Sequence, residues 1–217
     1  MVVDACRTAG PHCCGRTGQE RSSRTGAAVL SMTPHRVVLR HLRPEDAPAF
    51  TAYRNDPEIA CFQGWALPYT LAQTEALIEE MYTRTPEQPG WTQLALVDAS
   101  SGELLGDFAV NRAIPDNGAQ AEIGFTLARH AQGRGLASEG LGLLLAQLFG
   151  PHALHRVYAH IDPRNAPAAA LLNRAGFRHE GTALESYWHR EAWTDDALYG
   201  LLAREWQAGR KEKTQDG

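Results

Sequence analysis

Cysteine is scarce in this chain, which has four cysteines in 217 residues. Cys6, Cys13 and Cys14 lie near the N-terminus, and with Cys61 they lack the CxxC spacing of a zinc or redox site. We therefore expect free thiols in a reducing compartment and no bound metal. No apolar run approaches the roughly 18 residues of a membrane-spanning helix, and the N-terminus lacks the apolar core of a signal peptide. These absences predict a cytoplasmic protein that does not enter a membrane.

Basic residues are also in deficit. The chain has 21 Lys and Arg against 25 Asp and Glu, a formal net charge of −4. Such a charge gives no electrostatic footprint for nucleic acid or for an anionic membrane surface. Residues 1–31 carry four arginines and two acids, which leaves 17 basic and 23 acidic residues, a net charge of −6, in residues 32–217.

The first 31 residues differ in composition from the rest. They are rich in Gly, Ser, Thr and Arg and have no periodic apolar face, so we predict a disordered extension at 1–31. Regular patterns begin directly after Met32, and the polar residues 211–217 are expected to fray. One folded domain is predicted at 32–210.

Within this domain, strand-like and helical patterns alternate without an internal repeat, which predicts a mixed α/β domain. Its N-terminal half should be an antiparallel meander. Apolar periodicity and cap residues predict the following elements: strands at 35–42, 91–97, 103–112, 121–127, 155–161, 177–182 and 198–203, and helices at 44–55, 70–83, 135–149 and 166–175.

The glycine-rich stretch HAQGRGLASEG, His130–Gly140, stands between a predicted strand and a predicted helix. That arrangement directs free backbone N–H groups at an anion, and glycine lets the backbone approach it closely. A Walker loop would need Gly-Lys followed by Ser or Thr, and this stretch has none. A dinucleotide-binding fold would need a third glycine where Ser138 stands, within an early βαβ unit.

Several stretches resemble the GCN5-related N-acetyltransferases, the GNAT family. Gln132-x-x-Gly135-x-Ala137 resembles the loop that holds the coenzyme A pyrophosphate, and AEIGFTL resembles the central bulged strand of that family. DPRNAPAAALLNRAGF, Asp162–Phe177, resembles its second signature. ESYWHREAWTDDALYGLL resembles the closing segment of the subgroup that acetylates N-termini of ribosomal proteins. The resemblance spans about residues 35–207 and implies an α/β (α+β) fold, with a mixed, mostly antiparallel central sheet and helices on both faces.

The resemblance implies direct attack of an amine on the thioester of acetyl-CoA, the co-substrate, without a covalent enzyme intermediate or a metal. By position in the family motifs, the implied cofactor-binding residues are Phe125, Thr126, Leu127, Gln132, Gly133, Arg134, Gly135, Leu136, Ala137, Ser138 and Asn165.

The acid–base residues depart from the family pattern. The usual tyrosine position holds Asn173, the serine of the ribosomal subgroup is Ala168, and its glutamate falls on Tyr187. Glu122 is then the best candidate for the general base, with a structural carboxylate as the alternative. Tyr187 is a candidate proton donor or a pocket-lining aromatic. His160 is interpreted as a structural strand histidine, and positioning alone is a further hypothesis for catalysis.

The acidic residues of the C-terminal segment bear on the nature of the acceptor. Glu185, Glu191, Asp195 and Asp196 would suit a cationic amine or would form a solvated acidic face. A protein N-terminal α-amino group and a small-molecule amine, such as a polyamine or an aminoglycoside, both fit. A non-catalytic acyl-CoA-binding sensor is the alternative, motivated by Ala168 and Asn173. The oligomeric state stays open between a monomer and a homodimer.

Overall fold

A computed structural model of the protein describes residues 35–112 and 119–215, and side chains as far as residue 210. Its strands are β1 (Val37–His41), β2 (Gly90–Asp98), β3 (Leu104–Arg112), β4 (Gln120–Leu127), β5 (Arg156–Ile161), β6 (Arg178–His189) and β7 (Ala192–Leu202). Its helices are α1 (Ala47–Arg54), α2 (Pro57–Ala60), α3 (Leu71–Met81), α4 (Leu136–Phe149), α5 (Ala166–Arg174) and α6 (Ala203–Gln215). The predicted N-terminal extension, residues 1–31, lies outside the described residues.

The seven strands form one sheet in the order β1-β2-β3-β4-β5-β7-β6. All neighbouring pairs are antiparallel except β4 and β5, which run parallel. The predicted antiparallel meander, β1 to β4, and the mostly antiparallel mixed sheet are therefore confirmed. The first five strands begin and end within about two residues of their predicted bounds.

Each face of the sheet packs against its own set of helices. Leu94 and Leu96 of β2 join the apolar core under α4 and α5, whereas their neighbours Ala95 and Val97 join a second core under α1, α2 and α3. Successive strand residues point to opposite faces, so one strand serves both cores. Helices on both faces are confirmed.

The C-terminal part of the chain differs from prediction. The sequence predicts short strands at 177–182 and 198–203. In the structure the first continues to His189 as β6 and the second already begins at Ala192 as β7, so that the two strands form one long hairpin. Nearly every residue of β6 is exposed, so the strand has no buried apolar face for sequence periodicity to reveal. A helix follows at Ala203 and runs to Gln215, through most of the segment 211–217 that is expected to fray. The short helix α2, Pro57–Ala60, lies between two predicted helices, where no element is predicted.

A buried charged cluster ties α1 to the sheet. The Arg54 guanidinium lies 4.3 Å from the Trp65 ring centroid, and its Nη2 lies 3.9 Å from Oδ2 of Asp107 on β3. The Tyr53 hydroxyl donates a hydrogen bond to the same carboxylate. Burial raises the pKa of Asp107, whereas the Arg54 charge lowers it. Asp107 is the register partner of Thr126, so the cluster fixes α1 against β3, the strand next to β4.

Candidate active site

Strands β4 and β5 separate halfway along their length. They pair in parallel from Gln120 with Arg156 to Glu122 with Tyr158, and in the described residues that is the full extent of their pairing. Beyond that point β4 continues to Leu127 while still paired with β3, and β5 remains paired with β7. The strands therefore open into a wedge, and one backbone edge of residues 123–127 faces it.

The bulge expected in β4 is not seen. Pairing of β4 with β3 runs without a register shift from Glu122 with Asn111 to Leu127 with Gly106. A register shift lies instead between β2 and β3, at Leu96 and Val97. The wedge needs no extra residue in β4, because it arises where the parallel pairing with β5 ends.

The three predicted cofactor residues of β4 offer backbone rather than side chains. Phe125 packs against the core, with its ring centroid 6.2 Å from that of Phe108. The Thr126 side chain is buried on the opposite face of the sheet. The Leu127 carbonyl accepts a hydrogen bond of 3.1 Å from Gln132 Nε2, which ties the end of the strand to the following loop.

The glycine loop turns in the left-handed region, with φ of +71° at Gly133 and +77° at Gly135. Gly135 is the N-cap of α4, whose first turn has no side-chain cap. The N–H groups of Gly135, Leu136, Ala137 and Ser138 are those that a helix start leaves without intrahelical acceptors. Because the Leu136 side chain is buried in the core, that residue can offer only its N–H group.

Arg36, the residue before β1, holds this loop in place. Its Nη1 donates to the Arg134 carbonyl at 3.2 Å. Its backbone N–H and Nε donate to the Glu139 carboxylate in the first turn of α4, at 2.6 and 2.9 Å. The free N–H groups are therefore presented by a turn that is fixed from outside.

Asn165 is the N-cap of α5. Its Oδ1 accepts a hydrogen bond of 3.2 Å from the N–H of Ala168, so one end of the amide has a structural role. The amide nitrogen makes no hydrogen bond to another described residue and stays available as a donor. Ala168, which occupies the serine position of the ribosomal subgroup, is 6% exposed and has no hydroxyl to offer.

A cavity of about 450 Å³ lies beside the wedge and contains both predicted catalytic residues, Glu122 and Tyr187. Asp195 and Asp196 also line it, whereas Glu185 and Glu191 do not. We call this cavity the acidic pocket. Its full lining is Phe62, Gln63, Gly64, Glu122, His160, Ile161, Asp162, Tyr187, His189, Thr194, Asp195 and Asp196.

Glu122 is the last residue of β4 that pairs with β5, and its side chain is partly buried. Burial raises the pKa of this carboxyl above its ordinary value. Nearby His160 and a 3.5 Å hydrogen bond from Asn111 Nδ2 act in the opposite direction, and Asp196 adds to the rise. The carboxyl is therefore closer than a surface glutamate to the range in which proton transfer at neutral pH is efficient.

His160 is expected from the sequence to be a structural histidine, but it lines the acidic pocket beside Glu122. Its Nδ1 lies 2.6 Å from Oδ2 of Asp196 on β7. The two residues are 36 positions apart in the chain and meet only because β5 and β7 are neighbours in the sheet. No local motif joins them, so only the strand order reveals the pair.

Tyr187 reaches the acidic pocket from the β6–β7 hairpin, and about half of its surface is exposed. Its ring stacks on that of His189, with 5.9 Å between the centroids. Its hydroxyl lies beside Gly64, where a Cβ on that glycine would come within 3.0 Å of the oxygen. The absence of a side chain at Gly64 therefore leaves the space that the Tyr187 hydroxyl occupies.

Residues 35–112 and 119–215 contain neither a metal cluster nor a membrane span. In that part of the chain no three His, Cys, Asp or Glu side chains are grouped so as to hold a metal ion. None of its helices has the length and apolar character required to span a bilayer.

Comparison with known proteins gives a consistent result. The sequence model for the acetyltransferase (GNAT) domain family matches residues 36–178. A protein of Bacillus licheniformis named uncharacterized N-acetyltransferase p20 is 29% identical over 172 residues, which is 79% of this chain and 95% of that protein. The [ribosomal protein uS5]-alanine N-acetyltransferase of Escherichia coli is 27% identical over 115 residues, 53% of this chain and 59% of that enzyme.

Solved structures share the fold. Spermidine N-acetyltransferase from Vibrio cholerae, in complex with CoA and spermine, superposes with a TM-score of 0.69 at 21% identity, over 79% of this chain and 98% of that one. RimJ from Mycobacterium smegmatis, in complex with CoA-disulfide, has a TM-score of 0.69 at 23% identity, over 78% and 83% of the two chains.

Proposed function

This chain belongs to the GNAT acetyltransferase family and is an acyl-CoA-dependent N-acetyltransferase, and we propose that its acceptor is a cationic primary amine bound in the acidic pocket. The observation that carries this proposal is the position of Glu122. It marks the end of the β4–β5 pairing and lines a pocket that also contains Asp195 and Asp196. An ammonium group is the ligand that such a set of carboxylates favours.

Acetyl-CoA is the co-substrate, and its binding surface is proposed from the backbone groups beside the wedge. The N–H groups of Gly135 to Ser138 would hold the pyrophosphate at the positive end of α4. The open edge of β4 at residues 125–127 would hold the pantetheine and the thioester, and the Asn165 amide would add a donor. Gln132, Gly133 and Arg134 shape the loop through the contacts already described.

Glu122 and Tyr187 are proposed as the catalytic pair. An alkylammonium has a pKa of about 10, so at neutral pH it must lose a proton before it can attack the thioester. Glu122, directly or through one water, would accept a nitrogen proton, and Tyr187 would donate to the leaving thiolate. General-base assistance of this kind contributes about 10²–10⁴-fold to the rate.

The proposed acceptor class covers two kinds of molecule. A protein N-terminus and a polyamine or an aminoglycoside each carry an ammonium group, and relatives named for ribosomal-protein alanine and for spermidine support both. A cytoplasmic location and a domain boundary at Met32 remain predictions.

The test measures thiol release from acetyl-CoA with three acceptors in turn. These are spermidine, an aminoglycoside, and a peptide whose first residue is alanine, and each is compared with a blank that contains no amine. We expect release above the blank with at least one of them. Asp195→Asn should raise KM for that amine about fivefold, the equivalent of about 1 kcal/mol for a partly exposed ion pair. Glu191→Gln, an exposed acid outside the pocket, is the matched control. Coenzyme A binding without thiol release from any amine would contradict the proposed acceptor.

A further inference from the structure

Acetylation of an ammonium group releases two protons from one nitrogen. The nitrogen loses the first proton before it attacks and the second when the carbon–sulfur bond breaks. One proton ends on the sulfur of coenzyme A and the other goes to solvent. A single carboxylate, Glu122, accounts for one of these transfers, so a second proton acceptor beside the same pocket has a chemical purpose.

His160 is positioned for that purpose. Glu122 and Tyr158 are register partners, and His160 follows Tyr158 by two residues, so its side chain lies on the same face of the sheet as Glu122. Both side chains line the acidic pocket. The imidazole side chain is 41% exposed, which gives a proton a path from the ring to solvent.

We propose that His160, oriented by Asp196, is a second catalytic base, which takes the first proton from the ammonium group of the acceptor. This inference rests on the proposed function, because it requires a cationic amine in the acidic pocket. His160 Nε2 accepts the first proton and passes it to solvent. The nitrogen lone pair then forms the bond to the thioester carbon while the π electron pair of the carbonyl moves to its oxygen, and the return of that pair breaks the carbon–sulfur bond. As the carbon–sulfur bond breaks, Glu122 takes the second proton from the nitrogen and the thiolate takes a proton from the Tyr187 hydroxyl. Glu122 then passes its proton to the Tyr187 phenolate, so both side chains return to their starting states.

Asp196 determines which ring nitrogen can act. A carboxylate only accepts hydrogen bonds, so at 2.6 Å from Oδ2 the Nδ1 of His160 must carry the hydrogen. The lone pair of the neutral ring is then on Nε2, which makes no hydrogen bond to another described residue. The Asp196 charge also stabilises the imidazolium that forms. Imidazole is the side chain whose basicity suits proton transfer near neutral pH.

Other titratable groups face the same space and will affect any pH profile. They are Glu122 from β4, Tyr158 from β5, Asp162 after β5, Tyr187 and His189 from β6, and Asp195 and Asp196 from β7. The test therefore compares matched variants over one pH range instead of interpreting a single profile.

The first experiment uses His160→Gln with His179→Gln as its control. His179 is a histidine of β6 that hydrogen bonds to Thr182 and does not line the pocket. With the amine that gives the fastest thiol release, we expect His160→Gln to lower kcat about 10²-fold at pH 7. The difference in kcat between His160→Gln and the wild type should become smaller as the pH rises toward about 9, because a larger fraction of the amine is then already neutral in solution. Coenzyme A affinity, measured by calorimetry, should not change. Full activity at pH 7, or a deficit that stays constant with pH, would overturn the proposal.

The second experiment addresses Asp196. An asparagine there can donate to Nδ1 and move the ring hydrogen to Nε2, so Asp196→Asn should lose kcat, and Asp196→Glu should retain more of it. Long-range proton–nitrogen NMR of the wild-type protein should show the hydrogen on Nδ1, with the signal assigned by its loss in His160→Gln. A hydrogen on Nε2 would overturn the proposal. This measurement needs no acceptor, whereas a wild-type protein that turns over no amine would contradict the proposed function instead.

Discussion

The glycine loop allows a quantitative test of the cofactor site. Gly135 has a φ of +77°, a left-handed conformation that costs a residue with a Cβ about 1–2 kcal/mol. A Cβ on this glycine would meet only Arg36 Nη2, at 3.5 Å, which is an ordinary contact. A domain with a stability of about 5–15 kcal/mol can bear that strain, so Gly135→Val should still fold.

Coenzyme A binding should respond much more strongly. Valine at the N-cap either tilts the turn or places methyl groups beside the N–H groups of the first turn of α4, and both displace an anion there. We expect the affinity for coenzyme A to fall tenfold or more, the equivalent of about 1.4 kcal/mol. Calorimetry with coenzyme A measures this, and thermal unfolding checks the fold.

Two other glycines provide the controls. Gly133 has a φ of +71°, and a Cβ there would meet nothing within 4 Å, so Gly133→Ala tests backbone strain without bulk at the helix start. Gly142 lies within α4 with equally open space, so Gly142→Ala should stabilise the helix by roughly 1 kcal/mol and leave affinity unchanged. Wild-type affinity in a folded Gly135→Val would refute the assignment of this loop to the anion. Loss of folding would show that the turn serves the fold instead.

Two further predictions concern Glu122 and Gly140. Glu122→Gln should lower turnover tenfold or more with unchanged coenzyme A affinity, and Tyr187→Phe assayed with the same amine shows which residue matters more. Burial raises the pKa of Glu122, which means that its charged form destabilises the folded protein. Glu122→Gln should therefore have a higher melting temperature than the wild type at neutral pH. This gain should vanish below about pH 4, where the glutamate is protonated in the folded and the unfolded protein. A lower melting temperature at neutral pH would contradict this. Gly140→Val should destabilise the fold by about 1–3 kcal/mol in denaturant titrations, since a Cβ would lie 2.7 Å from Leu96 Cδ1. Gly142→Val is its control, and equal stability of the two would refute the packing argument.

The fold could be predicted wherever one face of an element is buried. The pattern predicts β4 at 121–127, and the strand spans Gln120–Leu127, because buried and partly exposed residues alternate through its first five positions. The cap at Thr70 marks the start of α3 correctly, and its hydroxyl accepts from the Gln73 N–H. The β6–β7 hairpin could not be predicted in this way, because β6 is exposed along its length and is held by backbone pairing with β7.

The candidate site also has one part that could be predicted from local sequence and one part that could not. The glycine loop is a local signature, in which the turn and the helix start are fixed within a few consecutive residues. The grouping of Glu122, His160 and Asp196 depends on the order β4-β5-β7, in which β7 inserts beside β5 although β6 precedes it in the chain. Sequence spacing carries no information on that order, which is why it favours a structural role for His160.

The position of Glu122 explains why the cofactor motif matches the family while the acid–base residues depart from it. Where its pairing with β5 ends, β4 begins to offer backbone groups to the wedge, while the Glu122 side chain points into the acidic pocket. Backbone donors need only the correct turn and strand geometry, which glycines and strand pairing supply. Proton transfer needs only a suitable side chain within reach of the pocket, and β4, β5, β6 and β7 all reach it. Ala168 of α5 can therefore lack a hydroxyl, provided that a strand lining the acidic pocket supplies the proton donor, the role proposed for Tyr187 of β6.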